Sequence, residues 1–516
     1  MRVIPGDEPR RVVPRWRDSR RAASLGETSA LAIAQAKGLE GDAELAAALA
    51  DLREHPSEVG FHTDAISIAL VLNKTELAKE LAAKLLSTHT PEEHNLRARI
   101  FSEIGGPPPS NKEAPKTGAA QNVGRELVTT EIRALKAMLV TEPSNAIAWA
   151  DIALRYSSLG QEDKSKESMR RAQALAPDDR FILRSAARLL LHVGDEDEAL
   201  WMLRGHPRTK LDPWLLSAEV AAASILGKSP LFIKEARQAL KQGAFPPRSL
   251  SELRAGLGSL EIEASNYRQA RKLLVEATEN GTENAAAQVV WARSRVGWDG
   301  LPEATLAIPD SYEARSRAAF ENERWSDALE EALAWFADEP FATRPAATAS
   351  FTAAVVLGQH ALASSLLERA LQANPNDQTL LNNAAFSLAS LGRIKEARQK
   401  LDRLGPAIAE DGLDVAVLAT RGLVEFRSGN VAEGQKLYLR AGELAHERRD
   451  EAREALAKIF LGRELALTGV AGGPEVLAEA DLLIKKMPRA RAASIAAAAA
   501  RVRAGLQPYD DDKPIR

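Results

Sequence analysis

Residues 145–179 read NAIAWADIALRYSSLGQEDKSKESMRRAQALAPDD. Trp149, Ile152, Ala153 and Tyr156 fall at helical spacing on a first segment. Ser165, Met169 and Ala172 do so on a second, so each segment carries one apolar face. The segments join at Leu159-Gly160, and Pro177, which cannot continue a helix, closes the unit. The stretch therefore predicts two amphipathic helices folded back on one another.

The pair resembles a tetratricopeptide repeat through Trp149, Tyr156, Gly160, Ala172 and Pro177, with Ser165 where that family usually has alanine. The pattern returns over Phe181–Pro207, with Ala187, Gly194, Ala199 and Leu203 in equivalent places. Gly160 and Gly194 lie 34 residues apart, the period of the family. Small residues early in each second helix mark where two helices must approach closely. Along the chain they are Ser165, Ala199, Ala236, Ala270, Ala304, Ala328, Ala363, Ala397 and Gly434, at steps of 34, 37, 34, 34, 24, 35, 34 and 37. The best matches are Ala146–Pro207 and Arg344–Leu404, and the likeness runs over Ala146–Ala441. Two departures stand out: Asn266-Tyr267 replaces the glycine turn, and Pro230 sits in the copy around Ala236. The resemblance implies an all-α fold, a right-handed α-solenoid of stacked helix-turn-helix repeats.

Outward from the repeats, seven segments are expected. Residues 1–30 form an Arg/Pro-rich arm and 31–104 a small helical domain, with a helix over Leu31–Leu52 and a helix pair over Thr63–Thr88 turning at Asn73-Lys74. Residues 105–124, which include GGPPPSNKEAPKTG, read as a linker. Residues 125–297 form a first repeat block. Residues 298–312 hold two prolines in too short a span for a second helix, so an irregular break is expected there, either a hinge or a tolerated irregularity. Residues 313–504 form a second block ending in capping helices, and 505–516 a polar tail.

Composition agrees with this architecture. Hydrophobic residues make up 45% of the 516, yet aromatics only 5%; alanine and leucine carry the core, as helix packing favours. A net charge of −3 points to neither nucleic acid nor basic ligands as a global partner. With no cysteine, disulfides, thiolate metal sites and cysteine nucleophiles are excluded. No apolar run approaches the length of a membrane span, and no signal-peptide pattern opens the chain, so a cytoplasmic protein without membrane insertion is expected. The eight histidines are scattered, and the one close pair, His89 and His94, lacks metal-binding helical spacing. No phosphate loop, nucleophile elbow or kinase motif is present; neither enzymatic activity nor a cofactor is expected. The acids Asp195 to Glu198 open a second helix and read as dipole partners and caps.

Stacked helix pairs generate a concave surface lined by first helices, suited to an extended peptide or a partner helix. Groove candidates on those helices are Arg184 and Arg188 in one block and Thr348, Thr352, Asn382 and Phe386 in the other. Some members of the family grip a C-terminal carboxylate with Lys, Arg and Asn from consecutive first helices. Asn382 holds such a place, but its neighbours there are Thr348, Thr352, Ala416 and Thr420, so chaperone-tail binding is not expected. The arm is the sharper feature. Its first 21 residues carry seven arginines, and Pro5, Pro9 and Pro14 favour extended backbone. Arg10, Arg11, Arg15, Arg17, Arg20 and Arg21 supply forked donors and Trp16 an anchor. Such a segment inserts into an acidic groove, binds phosphates, or folds back on its own solenoid, and an ordered docking strand and a disordered tail are both open. The leading expectation is a scaffold or adaptor subunit that binds a protein partner of unspecified identity through the groove and the arm, with self-association reasonable. A ligand-responsive sensor and a nucleic-acid accessory protein using the arm are the alternatives.

Overall fold

The computed structural model describes residues 10–17, 41–54, 74–88 and a few positions between them, 125–404 apart from 142, 242–244, 246, 299 and 309, and 413–506. Arg20, Arg21, the His89/His94 pair, the linker over 105–124 and most of the polar tail lie outside the described residues. Every regular element among the described residues is helical. The chain divides into two compact units. One comprises Pro9–Arg315 with Asp338–Phe341, and the other Ser316–Ala337 with Ala342–Arg516.

In the first unit, α1 (Gly41–Glu54), α2 (Thr75–Thr88) and α3 (Arg125–Thr141) precede the repeats. Four helix pairs follow: α4 (Ala146–Ser158) with α5 (Glu162–Leu175), α6 (Arg180–Val193) with α7 (Glu196–Gly205), α8 (Pro213–Ile225) with α9 (Ile233–Lys241), and α10 (Pro247–Glu263) with α11 (Tyr267–Glu276). Next comes α12 (Glu283–Ala292), after which a 3₁₀ turn over Glu303–Thr305 stands in place of a second helix. The chain then runs through α13 (Tyr312–Glu321) and α14 (Trp325–Asp338). The second unit continues with α15 (Thr343–Phe351), extended by a π-helical turn over Thr352–Val356, and α16 (His360–Ala373). Three further pairs are α17 (Gln378–Ser390) with α18 (Ile394–Asp402), α19 (Leu413–Arg427) with α20 (Val431–Glu447), and α21 (Glu451–Thr468) with α22 (Gly473–Lys486). Helix α23 (Arg489–Leu506) packs on α21 and closes the array.

First and second helices begin differently, and the sequence dictates both starts. Several first helices open on a side-chain cap: Asn145, Asp179, Asp212, Thr282 and Asp377 each accept a backbone N–H two or three residues ahead, whereas α15 follows Ala342 with none. Second helices open straight from a left-handed turn residue, Gly160, Gly194, Gly358, Gly392 or Gly429. Where the glycine is missing before Asn266, Ser265 takes the left-handed conformation at φ 59°. Asp195 departs from expectation: it makes no cap bond and pairs instead with Lys166 at 2.6 Å.

The small-residue ladder is buried at Ser165, Ala199, Ala236, Ala270, Ala328, Ala363, Ala397 and Gly434. Serine is tolerated at the first because its hydroxyl donates to the Ala153 carbonyl at 2.7 Å. Ala304 differs: it lies exposed within the 3₁₀ turn, so no helix pair closes over it. In the first unit α4, α6, α8, α10 and α12 contact one another in succession, and in the second α15, α17, α19 and α21 do. Each series makes one continuous face of first helices. The structure is thus an α-solenoid of stacked helix pairs, and no described helix is long and apolar enough to cross a membrane.

Candidate functional site

Residues 10–17 lie extended on the first-helix face of the first unit. Arg10, Val12, Pro14 and Trp16 are buried while Arg11, Val13 and Arg15 are partly exposed, the alternation of an extended chain lying on a surface. Two anchors hold it. Val12 fits among Ala255 of α10, Ala277 beyond α11 and Ala285 of α12, where alanine leaves room for a branched side chain. Trp16 is fully buried, its ring 5.3 Å from that of Phe341.

Helix α12 reads the arm's main chain. The Asn284 amide donates to the Val13 carbonyl at 2.7 Å, and the Gln288 amide donates to the Arg10 carbonyl at 3.1 Å. The same two side chains turn their oxygens to the Arg10 guanidinium, each accepting at 2.8 Å. Four residues apart on one helix, they share a face and grip one segment twice. Gln288 is itself fixed by Ser259, 2.6 Å away.

Carboxylates then meet the arm's arginines one after another. Glu313 at the start of α13 takes Arg10 in a two-pronged fork, both contacts at 2.9 Å, and also receives Arg15. Arg15 reaches Glu339 as well, Arg17 pairs with Asp338 and with Glu283 at 3.1 Å, and Arg11 meets Glu263 at 2.6 Å. Only the last pair is substantially open to water. Burial pulls the Arg15 guanidinium down, but Glu339, Glu313, Glu283 and Asp338 outweigh it and hold the group above its ordinary value. For Arg17, burial is likewise overcome by Glu283 and Asp338. Burial pushes Glu283 up, yet Arg17 and Arg15 bring it below the usual carboxylate range. The charges on the two sides thus hold one another ionised.

Of the groove candidates, Arg188 joins this site: its guanidinium lies 4.7 Å over the Phe341 ring and 3.9 Å from Glu339. Arg184 sits beside it, buried, pairing with Glu252 at 2.9 Å and stacked 4.7 Å over Trp214. The exposed groove position expected of Arg184 is therefore corrected; it buttresses α8 and α10 from within. In the second unit, Thr352 is buried in the π-helical turn, Asn382 is fully buried, and Phe386 is packed edge-on against Phe460, 5.0 Å away. These three also lack the expected exposed face: Thr352 is enclosed in its turn, and Asn382 and Phe386 lie on α17, which is covered by its neighbours α15 and α19. Thr348 is half-buried. Sequence reading missed the arm's receptors, Glu283, Asn284, Gln288, Glu313, Asp338, Glu339 and Phe341. One signal was there: Glu283, Asn284 and Gln288 interrupt the otherwise apolar run ENAAAQVVWA, and all three are buried.

No protein-family model and no curated protein matches the chain. Among solved structures it is similar to yeast Tom70, at 14% identity over 75% of this chain and 94% of that one, with a TM-score of 0.28. It is also similar to a human IFIT1 dimer with PPP-AAAA, at 12% identity over 87% and 91%, TM-score 0.32. A third is a structure of Naa15/Naa10 bound to HypK-THB, at 12% identity over 96% and 94%, TM-score 0.24. The helix pairs and their buried ladder of small residues make the fold an α-solenoid of stacked helix-turn-helix repeats.

Proposed function

We propose that this chain is a non-enzymatic protein-interaction scaffold whose first unit binds an extended, arginine-rich protein segment, with residues 10–17 as its resident occupant. The carrying observation is the double readout by Asn284 and Gln288, which hold both the backbone and the Arg10 side chain of a segment far away in sequence. A receptor that binds main chain through amides, arginines through carboxylates and one aromatic through Phe341 recognises a peptide by backbone and pattern together. A nucleic-acid role for the arm finds less support, since Arg10, Arg11, Arg15 and Arg17 already face carboxylates.

The test uses the full chain with Arg10, Arg15, Trp16 and Arg17 replaced by alanine, which empties the groove, and a fluorescent peptide of residues 9–18. The variant is expected to bind the peptide saturably, and the unaltered chain far more weakly because its own arm competes. Adding Glu313→Gln and Glu339→Gln to the variant must abolish binding. Equal binding with and without those two changes would sink the reading.

A further inference from the structure

A cluster in the second unit, apart from the arm, carries positive charge that its own residues do not balance. Arg463 of α21 is buried, its guanidinium 4.8 Å over the Phe460 ring, and its Nε donates to Glu464 at 2.7 Å. Glu464 is already claimed by Arg427, whose Nε lies 2.7 Å and Nη2 3.0 Å from its two oxygens. Among the described residues Arg501 of α23 meets no carboxylate; its one hydrogen-bond partner there is the Val355 carbonyl of the π-helical turn, at 3.4 Å. It is seated there because residue 358 is glycine: a Cβ would lie 2.9 Å from Arg501 Nη1. Two residues on, the His360 ring lies 5.7 Å from that of Phe386, which abuts Phe460 and so leads back to Arg463.

Three nitrogens in this cluster are buried without a hydrogen-bond partner among the described residues: Arg463 Nη2, Arg501 Nε and His360 Nδ1. Buried guanidinium N–H groups are normally satisfied, so two in one neighbourhood, beside an unpaired imidazole nitrogen, require a ligand or a solvent molecule. Charge decides between them. Burial first, then Arg463, Arg501 and Arg427, pull His360 down to about 3. Burial and Arg463 also lower Arg501 from its ordinary value. A water molecule satisfies donors but leaves that repulsion in place; an anion removes both.

We propose that Arg463, Arg501 and His360 form a binding site for a single oxyanion, a carboxylate or a phosphate. Arginine forks match the paired oxygens of either group. Arg427 is partly exposed, and Arg501 and His360 are only half-buried, so the site opens to solvent on that side. The aromatic wall of Phe386 and Phe460 backs it and limits the ligand's reach inward.

The test is calorimetric titration of the full chain with inorganic phosphate and, separately, acetate. One saturable site is expected for at least one of them, and the stronger response identifies the ligand's chemistry. Arg501→Gln should weaken it by at least about tenfold, whereas Arg393→Gln, an exposed arginine of the same unit paired with Glu396, should not. Should Arg501→Gln melt early, Arg501→Lys keeps the charge, removes the Nε donor and must still weaken binding. Absence of saturable binding for both anions, or equal weakening by the Arg501 and Arg393 variants, would overturn the proposal.

Discussion

Glu313→Gln is the sharpest perturbation of the arm. The carboxylate is buried, accepts the Arg10 fork through both oxygens and also holds Arg15. Glutamine keeps the shape but turns one acceptor into an N–H₂, which must then face a guanidinium. A hydrogen bond to a charged group contributes about 1.5–3 kcal/mol, and removing one partner of a buried ion pair costs about 3–5 kcal/mol. Two facts reduce the loss. Arg10 keeps Gln288 and Asn284, and Arg15 keeps Glu339. The arm can also lift into water, so the loss cannot exceed its own docking free energy. About 2–4 kcal/mol is expected, a rise of roughly 30- to 1,000-fold in the undocked fraction. Trypsin reads that fraction directly, because it must capture an arginine side chain that the docked arm withholds. When opening and closing are fast, cleavage follows the open population. The rates of cutting after Arg11, Arg15 and Arg17, followed by mass spectrometry, should rise by that factor, with cutting at the exposed Arg393 unchanged. If Glu313→Gln cuts no faster at these bonds, the buried ion pairs do not hold the arm and the reasoning fails.

Trp16→Ala removes a fully buried indole, forfeiting about 3–5 kcal/mol of packing; the same three bonds should then be cut at nearly the rate of a free peptide, while the melting temperature of the helices barely moves. Acid should release the arm too. Glu283 lies below its ordinary value when folded, so its stabilisation is present above about pH 4.3 and is lost as the pH falls through the lower folded value; tryptic release should rise below that point, or be read by pepsin where trypsin fails. His192, beside Arg188 and Glu339, is pulled down to about 3 by burial and Arg188. It stays neutral in the fold while the unfolded chain takes a proton below about 6.5, so stability should fall on the order of 1 kcal/mol per pH unit from there towards 3, and His192→Gln should flatten that slope in urea titrations. Finally, a Cβ on Gly434 would lie 2.6 Å from Phe426 Cδ2 and 2.9 Å from the Gly422 carbonyl, so Gly434→Ala should destabilise by about 1–3 kcal/mol in thermal melts.

The fold was legible because a helix pair repeats its constraints. Each unit needs a small residue where its helices touch and a turn residue free to adopt positive φ, and both recur at a readable period. Where the pattern lapses, the backbone finds another way to meet the same constraint. Ser265 takes the left-handed turn without being glycine, and Ser165 satisfies its hydroxyl on the Ala153 carbonyl. Ala304 shows the opposite limit: it keeps the period of the ladder but not its burial, since spacing alone cannot tell a truncated repeat from a whole one.

The arm was half legible, and the missing half has a physical reason. Its arginines and tryptophan identify themselves by composition, because nothing in a solenoid core calls for that mixture. Its receptors do not, because a buried carboxylate on an amphipathic helix looks like any solvated acid until its partner is known. Glu313, Asp338 and Glu339 stand about 300 residues or more from the arginines they meet, and local periodicity carries no information across such a distance. Charge bookkeeping along the chain would also mislead, since the acids are spread over four separate segments and gather only when α10, α12, α13 and the end of α14 come together. The one local clue was energetic. Asn284 and Gln288 on an alanine-rich first helix carry more hydrogen-bonding groups than Glu252 and Ser259 of α10 take up, and a polar occupant with carbonyls and donors satisfies the rest. An extended peptide segment supplies both, and the arm is the segment that does.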